Sequence, residues 1–141
     1  MIVLACDPGE TTGWCRINTD TGSIGGGSFP LWEGFGIYHA AGGRWAKMDV
    51  VVIERFLLYP WAAKRLRWNK LSAIEVIGII KFLARKRSVP VVMQNASVAK
   101  RIKLAKKPEG FDRHSLDAFR HALAFLKREN LLTEQLKEYI A

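Results

Sequence analysis

Cysteine is nearly absent from this 141-residue chain, which carries only Cys6 and Cys15. Two cysteines cannot build a disulfide scaffold, and no Cys-x-x-Cys pair or Cys/His cluster has zinc-ligand spacing. If residues 7–14 form a hairpin-like turn, the two cysteines fall opposite each other. A cross-strand disulfide is one reading of that placement, and two small buried thiols are the other. Long apolar runs are missing as well. Asp7 interrupts the first one, and none reaches the roughly 18 residues of a membrane span. The N-terminus shows neither a basic leader nor a small-residue cleavage site, so the expected location is the cytoplasm. Acids are scarce beside bases, 13 against 22, for a net charge of +9.

What remains is the composition of a folded globule, 49% hydrophobic and 25% charged, and its length suits one domain spanning residues 1–141. The charge is concentrated. Residues 61–107 hold thirteen Lys and Arg against the single acid Glu75, a net +12, while the remainder sums to −3. A solvated helix face usually mixes signs. This segment does not, and concentrated positive charge attracts phosphate backbones.

Apolar periodicity outlines the elements. Residues 2–7 (IVLACD) and 49–54 (DVVVIE) read as central strands apolar on both faces, each ending on a carboxylate. Residues 12–18 read as a second strand and 34–39 (GFGIYH) as a third. The Gly-, Thr- and Ser-rich segment 19–33 reads as a loop or a poorly formed hairpin connection. Residues 90–94 form a fifth strand, opened by a proline in its tolerated first position. A helix over 70–86 has an apolar arc wider than one sheet face needs, which suggests a second apolar partner such as another copy of the chain. A second helix covers 113–128 with Asp112 as its N-cap, and a short one starts near Thr133. The expected fold is therefore α/β: a mixed five-stranded sheet, a three-strand antiparallel meander plus parallel strands, flanked by helices.

Asp7 and Glu54 end two central strands, where ligands collect in open α/β sheets. His114, Asp117 and His121 share one face of the 113–128 helix. Asp7, Glu54 and Asp117 together would repel one another unless a cation neutralised them. Oxygen donors without cysteine suit Mg²⁺, with Mn²⁺ as a substitute, and two such ions serve in-line phosphoryl displacement. His114 would be a further ligand or a proton carrier. Each residue also has a plainer reading: Asp7 as a turn former, Glu54 paired with Arg55, Asp117 on the helix dipole, and His121 as a packed histidine. After Glu54, Phe56, Tyr59 and Trp68 alternate with Lys64, Arg65, Arg67 and Lys70. Aromatics there would stack on bases while cations hold the backbone. Residues 100–107 add Lys100, Arg101, Lys103, Lys106 and Lys107 as phosphate contacts.

The motifs DPGETTGW (7–14), VVVIERF (50–56) and HSLDAFRHAL (114–123) resemble those of RuvC-like Holliday junction resolvases, within the RNase H-like nuclease superfamily. The compact length resembles phage-type members. The resemblance implies that Asp7, Glu54, His114 and Asp117 form the catalytic and metal-binding set, with two Mg²⁺ per site. It implies a homodimer, for which the wide apolar arc of the 70–86 helix is the candidate face, and symmetric nicking of four-way junctions in a bacterial or phage-infected cell. The products would carry 5′-phosphate and 3′-hydroxyl ends, and Phe56 and Tyr59 are the candidate junction wedges. One departure is the segment 40–48, too short for the full helix the family places between strands three and four. Two other readings stay open: an RNase H-like nuclease acting on RNA or flap DNA, and a non-catalytic nucleic-acid-binding protein.

Overall fold

The computed structural model describes residues 1–30, 47–57, 60–63 and 71–141. Five strands form one sheet: β1 (Ile2–Asp7), β2 (Thr11–Asn18), β3 (Ser23–Pro30), β4 (Val50–Glu54) and β5 (Val91–Gln94). Their spatial order is β3-β2-β1-β4-β5. The first three pair antiparallel, and β4 pairs parallel with both β1 and β5. The helices are α1 (Pro60–Ala63), α2 (Ser72–Lys86), α3 (Ala96–Lys100), α4 (Arg113–Arg128) and α5 (Glu134–Lys137). This is the mixed sheet flanked by helices that the apolar pattern predicts.

Strand alternation divides the core in two. Val3, Ala5, Cys15, Ile17, Val50 and Val52 face α4, where Phe119, Ala122, Leu123 and Leu126 are buried against them. Leu4, Cys6, Val51 and Ile53 face the other way, onto Val76, Ile80 and Ala84 of α2. Both faces of β1 and β4 are thus covered, which explains why these strands are apolar throughout. Among the described residues, Ile74, Ile79 and Phe82 are exposed on the outer side of α2, Phe82 by 66%. Among the described residues, no helix is long and apolar enough to cross a membrane.

Two expectations are corrected. Residues 23–30, read as part of a loop, form β3, in register with β2 from Ser23 opposite Asn18 to Pro30 opposite Thr11. Three consecutive glycines depress strand propensity, but here packing overrides it. A Cβ on Gly26 would stand 2.3 Å from the Phe111 ring, so the missing side chain is the space that ring fills. The strand expected at 34–39 lies outside the described residues, as does most of the 40–48 connection. The cysteines do not oppose each other. Ala5 pairs with Cys15 and Cys6 with Trp14, a one-residue offset that sends the thiols to opposite faces. Both are free and buried. Burial pushes the Cys6 thiol up to about 12, with the nearby Asp7 charge adding to it.

Candidate active site

The parallel strands β1, β4 and β5 end side by side. Cys6 is in register with Ile53 and Glu54 with Gln94. Cys6, Ile53 and Met93 point toward α2. The next residue on each strand, Asp7, Glu54 and Gln94, therefore turns to the α4 side. Three adjacent strand ends thus offer two carboxylates and an amide to one helix.

The approach of α4 to that edge depends on Gly13, which pairs with Asp7 across the first hairpin. A Cβ at Gly13 would lie 2.0 Å from the carbonyl oxygen of His114. Backbone meets backbone there, leaving no room for a side chain. The helix start is fixed by Asp112, which accepts a hydrogen bond from the Ser115 N–H (2.8 Å) and another from the Ser28 hydroxyl on β3. From this anchor α4 carries Asp117, Arg120 and His121 past the strand ends.

Asp7, Glu54 and Asp117 line one cleft of about 460 Å³, together with Lys100, Lys103 and Arg120. Each carboxylate has a distinct environment. The Asp7 carboxyl is pushed up to about 7, first by burial and then by the charges of Glu54 and Asp117, with His121 and Arg113 pulling the other way. Asp117 is ion-paired with Arg120 at 2.6 Å, one turn along its own helix. Glu54 Oε2 lies 2.7 Å from Nε2 of His121, whose Nδ1 lies 2.8 Å from Oε1 of Gln94.

Among the described residues, no three His, Cys, Asp or Glu side chains close on one point as a ready metal cage. The donor chemistry nonetheless suits a hard divalent cation: three carboxylates share one polar cleft, and the charges of Glu54 and Asp117 add to the burial that raises Asp7. A cation there would relieve that charge.

His114, one turn before Asp117, is half-buried, does not line this cleft, and bears on Asp112. Of the expected nucleic-acid contacts, Lys100 and Lys103 border the carboxylates. Phe56 lines an adjoining cleft with Glu54, Asn95, Ser97 and Lys100. Arg101 and Lys107 are exposed. Lys106 is turned elsewhere, ion-paired with Glu138 at 2.6 Å and lying over the Tyr139 ring. Tyr59, Lys64, Arg65, Arg67, Trp68 and Lys70 lie outside the described residues. Sequence reasoning missed Gln94 and Arg120; His121, read as a packed or solvent-edge histidine, is fully buried and hydrogen-bonded to Glu54 and Gln94. Gln94 carried a signal, since like Asp7 and Glu54 it is a polar residue ending an apolar parallel strand.

Comparison with known proteins adds the fold. No family model matches the chain, and no curated protein matches it. Solved structures do. T. thermophilus RuvC in complex with Holliday junction substrate superposes with a TM-score of 0.61 at 17% identity, covering 93% of this chain and 97% of that one. The fowlpox virus Holliday junction resolvase gives a TM-score of 0.56 at 16% identity, covering 94% and 100%. The chain has the RuvC-like resolvase fold.

Proposed function

We propose that the chain is a metal-dependent, structure-selective DNA endonuclease that resolves four-way junctions by nicking them symmetrically as a homodimer. The observation that carries this reading is the convergence of Asp7, Glu54 and Asp117 at the strand ends. A carboxylate raised to about 7, first by burial and then by its like-charged neighbours, is one whose charge a divalent cation would stabilise. The shared fold of two Holliday junction resolvases supports the substrate class.

On this reading Asp7, Glu54 and Asp117 would hold two Mg²⁺ ions, while His114, the fourth residue of the sequence motif, stands outside the cleft they line. When bound, such ions activate water and stabilise the leaving oxygen of a phosphodiester. The remaining work belongs to the protein. Asp7 is held by strand pairing rather than by a loop, so its carboxylate enters the cleft from a fixed direction. Lys100 and Lys103 at the rim draw the phosphate backbone toward the carboxylates. Phe56, beside Glu54, offers an aromatic face on which a base at the branch point can stack. The net +12 of residues 61–107 supplies the wider attraction. The outer face of α2, with Ile74, Ile79 and Phe82 exposed among the described residues, supports self-association there.

The test is cleavage of a synthetic four-way junction beside a linear duplex, a flap and an RNA–DNA hybrid, with and without Mg²⁺. Paired nicks in the junction alone support the reading. Preferential cleavage of the flap or hybrid would reassign the substrate, and metal-independent binding without cleavage would make the chain a binding protein.

A further inference from the structure

Gln94 and His121 stand outside the carboxylate set, yet both are joined to it. Each is buried, His121 completely. The ring is fully buried, so no solvent reaches its nitrogens. Both need partners inside the protein. Nε2 finds Glu54 Oε2 at 2.7 Å and Nδ1 finds Gln94 Oε1 at 2.8 Å. A carboxylate has only acceptors, so toward ionised Glu54 the ring must donate from Nε2. The amide of Gln94 grips the opposite nitrogen and fixes the ring's rotation. Its own Nε2 is buried with no partner among the described residues. A neutral ring that donates from Nε2 has only a lone pair at Nδ1, which an amide oxygen cannot meet; turning the amide end for end lets the Gln94 nitrogen donate to Nδ1 and gives that nitrogen its partner.

The chain of contacts links the ends of β5 and β4 through α4, three separate elements, and terminates on one oxygen of Glu54. A free glutamate side chain would sample many rotamers at a strand end open to a cleft. This one is tied by Oε2, which leaves Oε1 for a ligand. We infer that Gln94 and His121 are positioning residues for Glu54, holding its carboxylate in a single orientation for a divalent cation. The inference rests on the reading of Glu54 as a metal ligand. Hydrogen bonding of a ligating carboxylate by the residues behind it is a known determinant of metal affinity.

The test uses the full chain and Mn²⁺ alone, with binding followed by electron paramagnetic resonance and calorimetry in the absence of DNA. His121→Leu removes the donor at similar volume, and His121→Gln keeps one. His121→Leu should weaken Mn²⁺ binding by roughly 10-fold or more, with His121→Gln recovering most of it, the scale usual for residues behind metal ligands. Junction affinity in EDTA should not change, which separates positioning from general damage. Should His121→Leu fail to fold, Gln94→Leu replaces it, with a smaller shift in the same direction. In a Glu54→Gln background, His121→Leu should cause no further loss, because its effect passes through that carboxylate. Wild-type Mn²⁺ affinity in both His121→Leu and Gln94→Leu, with Glu54→Gln impaired, would overturn the inference and leave the function standing. An equal loss from His121→Leu in the Glu54→Gln background would also overturn it. Wild-type binding and cleavage by Glu54→Gln would instead remove the reading on which it rests.

Discussion

Asp7→Asn should stabilise the protein while disabling it. The Asp7 carboxyl is raised from 3.8 to about 7, chiefly by burial and then by Glu54 and Asp117. The native state therefore holds this proton more tightly than the unfolded chain does. Below pH of about 4 both states keep it, and the group costs nothing. As pH rises toward 7, folding must work against ionisation, and the loss is complete above about 7. A shift of about three pH units corresponds to about 4 kcal/mol. The cleft is partly hydrated, and screening leaves about half of that, about 2 kcal/mol. For a domain of this size the Tm moves by about 4 °C per kcal/mol, so the expected gain is about 8 °C at pH 8. Asparagine matches aspartate in shape and never ionises. Thermal melts in EDTA from pH 4 to pH 8 should show the variant and wild type together at pH 4 and diverging as pH rises. Mg²⁺ should raise the wild type more than the variant and narrow the gap. A variant melting at or below wild type at pH 8, or a gap that shrinks with pH, would refute the burial of Asp7 among like charges on which the reasoning rests.

Three further outcomes are expected. Glu54→Gln and Asp117→Asn should each reduce Mg²⁺-dependent junction cleavage to background while binding the junction normally in EDTA; wild-type nicking by either would remove that residue from the catalytic set. Gly13→Ala should destabilise the fold by about 3 kcal/mol, because the new Cβ meets the His114 backbone rather than a movable side chain; an unchanged melt would mean that α4 can shift without consequence. Phe82→Glu should leave the Tm of the monomer unchanged, since the residue is exposed, and convert a dimer to monomer in sedimentation velocity. A dimer that survives this substitution must be built elsewhere.

The site was legible where chemistry and periodicity coincide. β1 and β4 declare themselves as apolar runs, and their terminal acids mark the strand ends where Asp7 and Glu54 stand. The 3.6-residue period of α4 and its Asp112 cap gave the helix its observed bounds, Arg113–Arg128. β3 was hidden because its glycines serve the Phe111 ring, a residue distant in sequence and invisible to local propensity. The cysteine pairing failed on a one-residue register, and in a sheet one residue reverses the face. The broad apolar arc of α2 is divided by the fold: Val76, Ile80 and Ala84 are buried, Ile77 and Leu83 are half-buried against them, and Ile74, Ile79 and Phe82 are exposed. His121 is packed, as its place beside the apolar stripe suggested, but its hydrogen-bond partners were not legible. A histidine bordering an apolar stripe looks like packing until the strand end opposite supplies Glu54 and Gln94 as partners, and only the tertiary arrangement does so.

The central claim is tested most directly on one gel. A labelled four-way junction and its linear duplex are incubated with the wild-type chain, with and without Mg²⁺, beside Asp7→Asn. The account predicts symmetric paired nicks in the junction only, only with Mg²⁺, and none from the variant. Intact junctions under every condition, or equal cutting by Asp7→Asn, would contradict it.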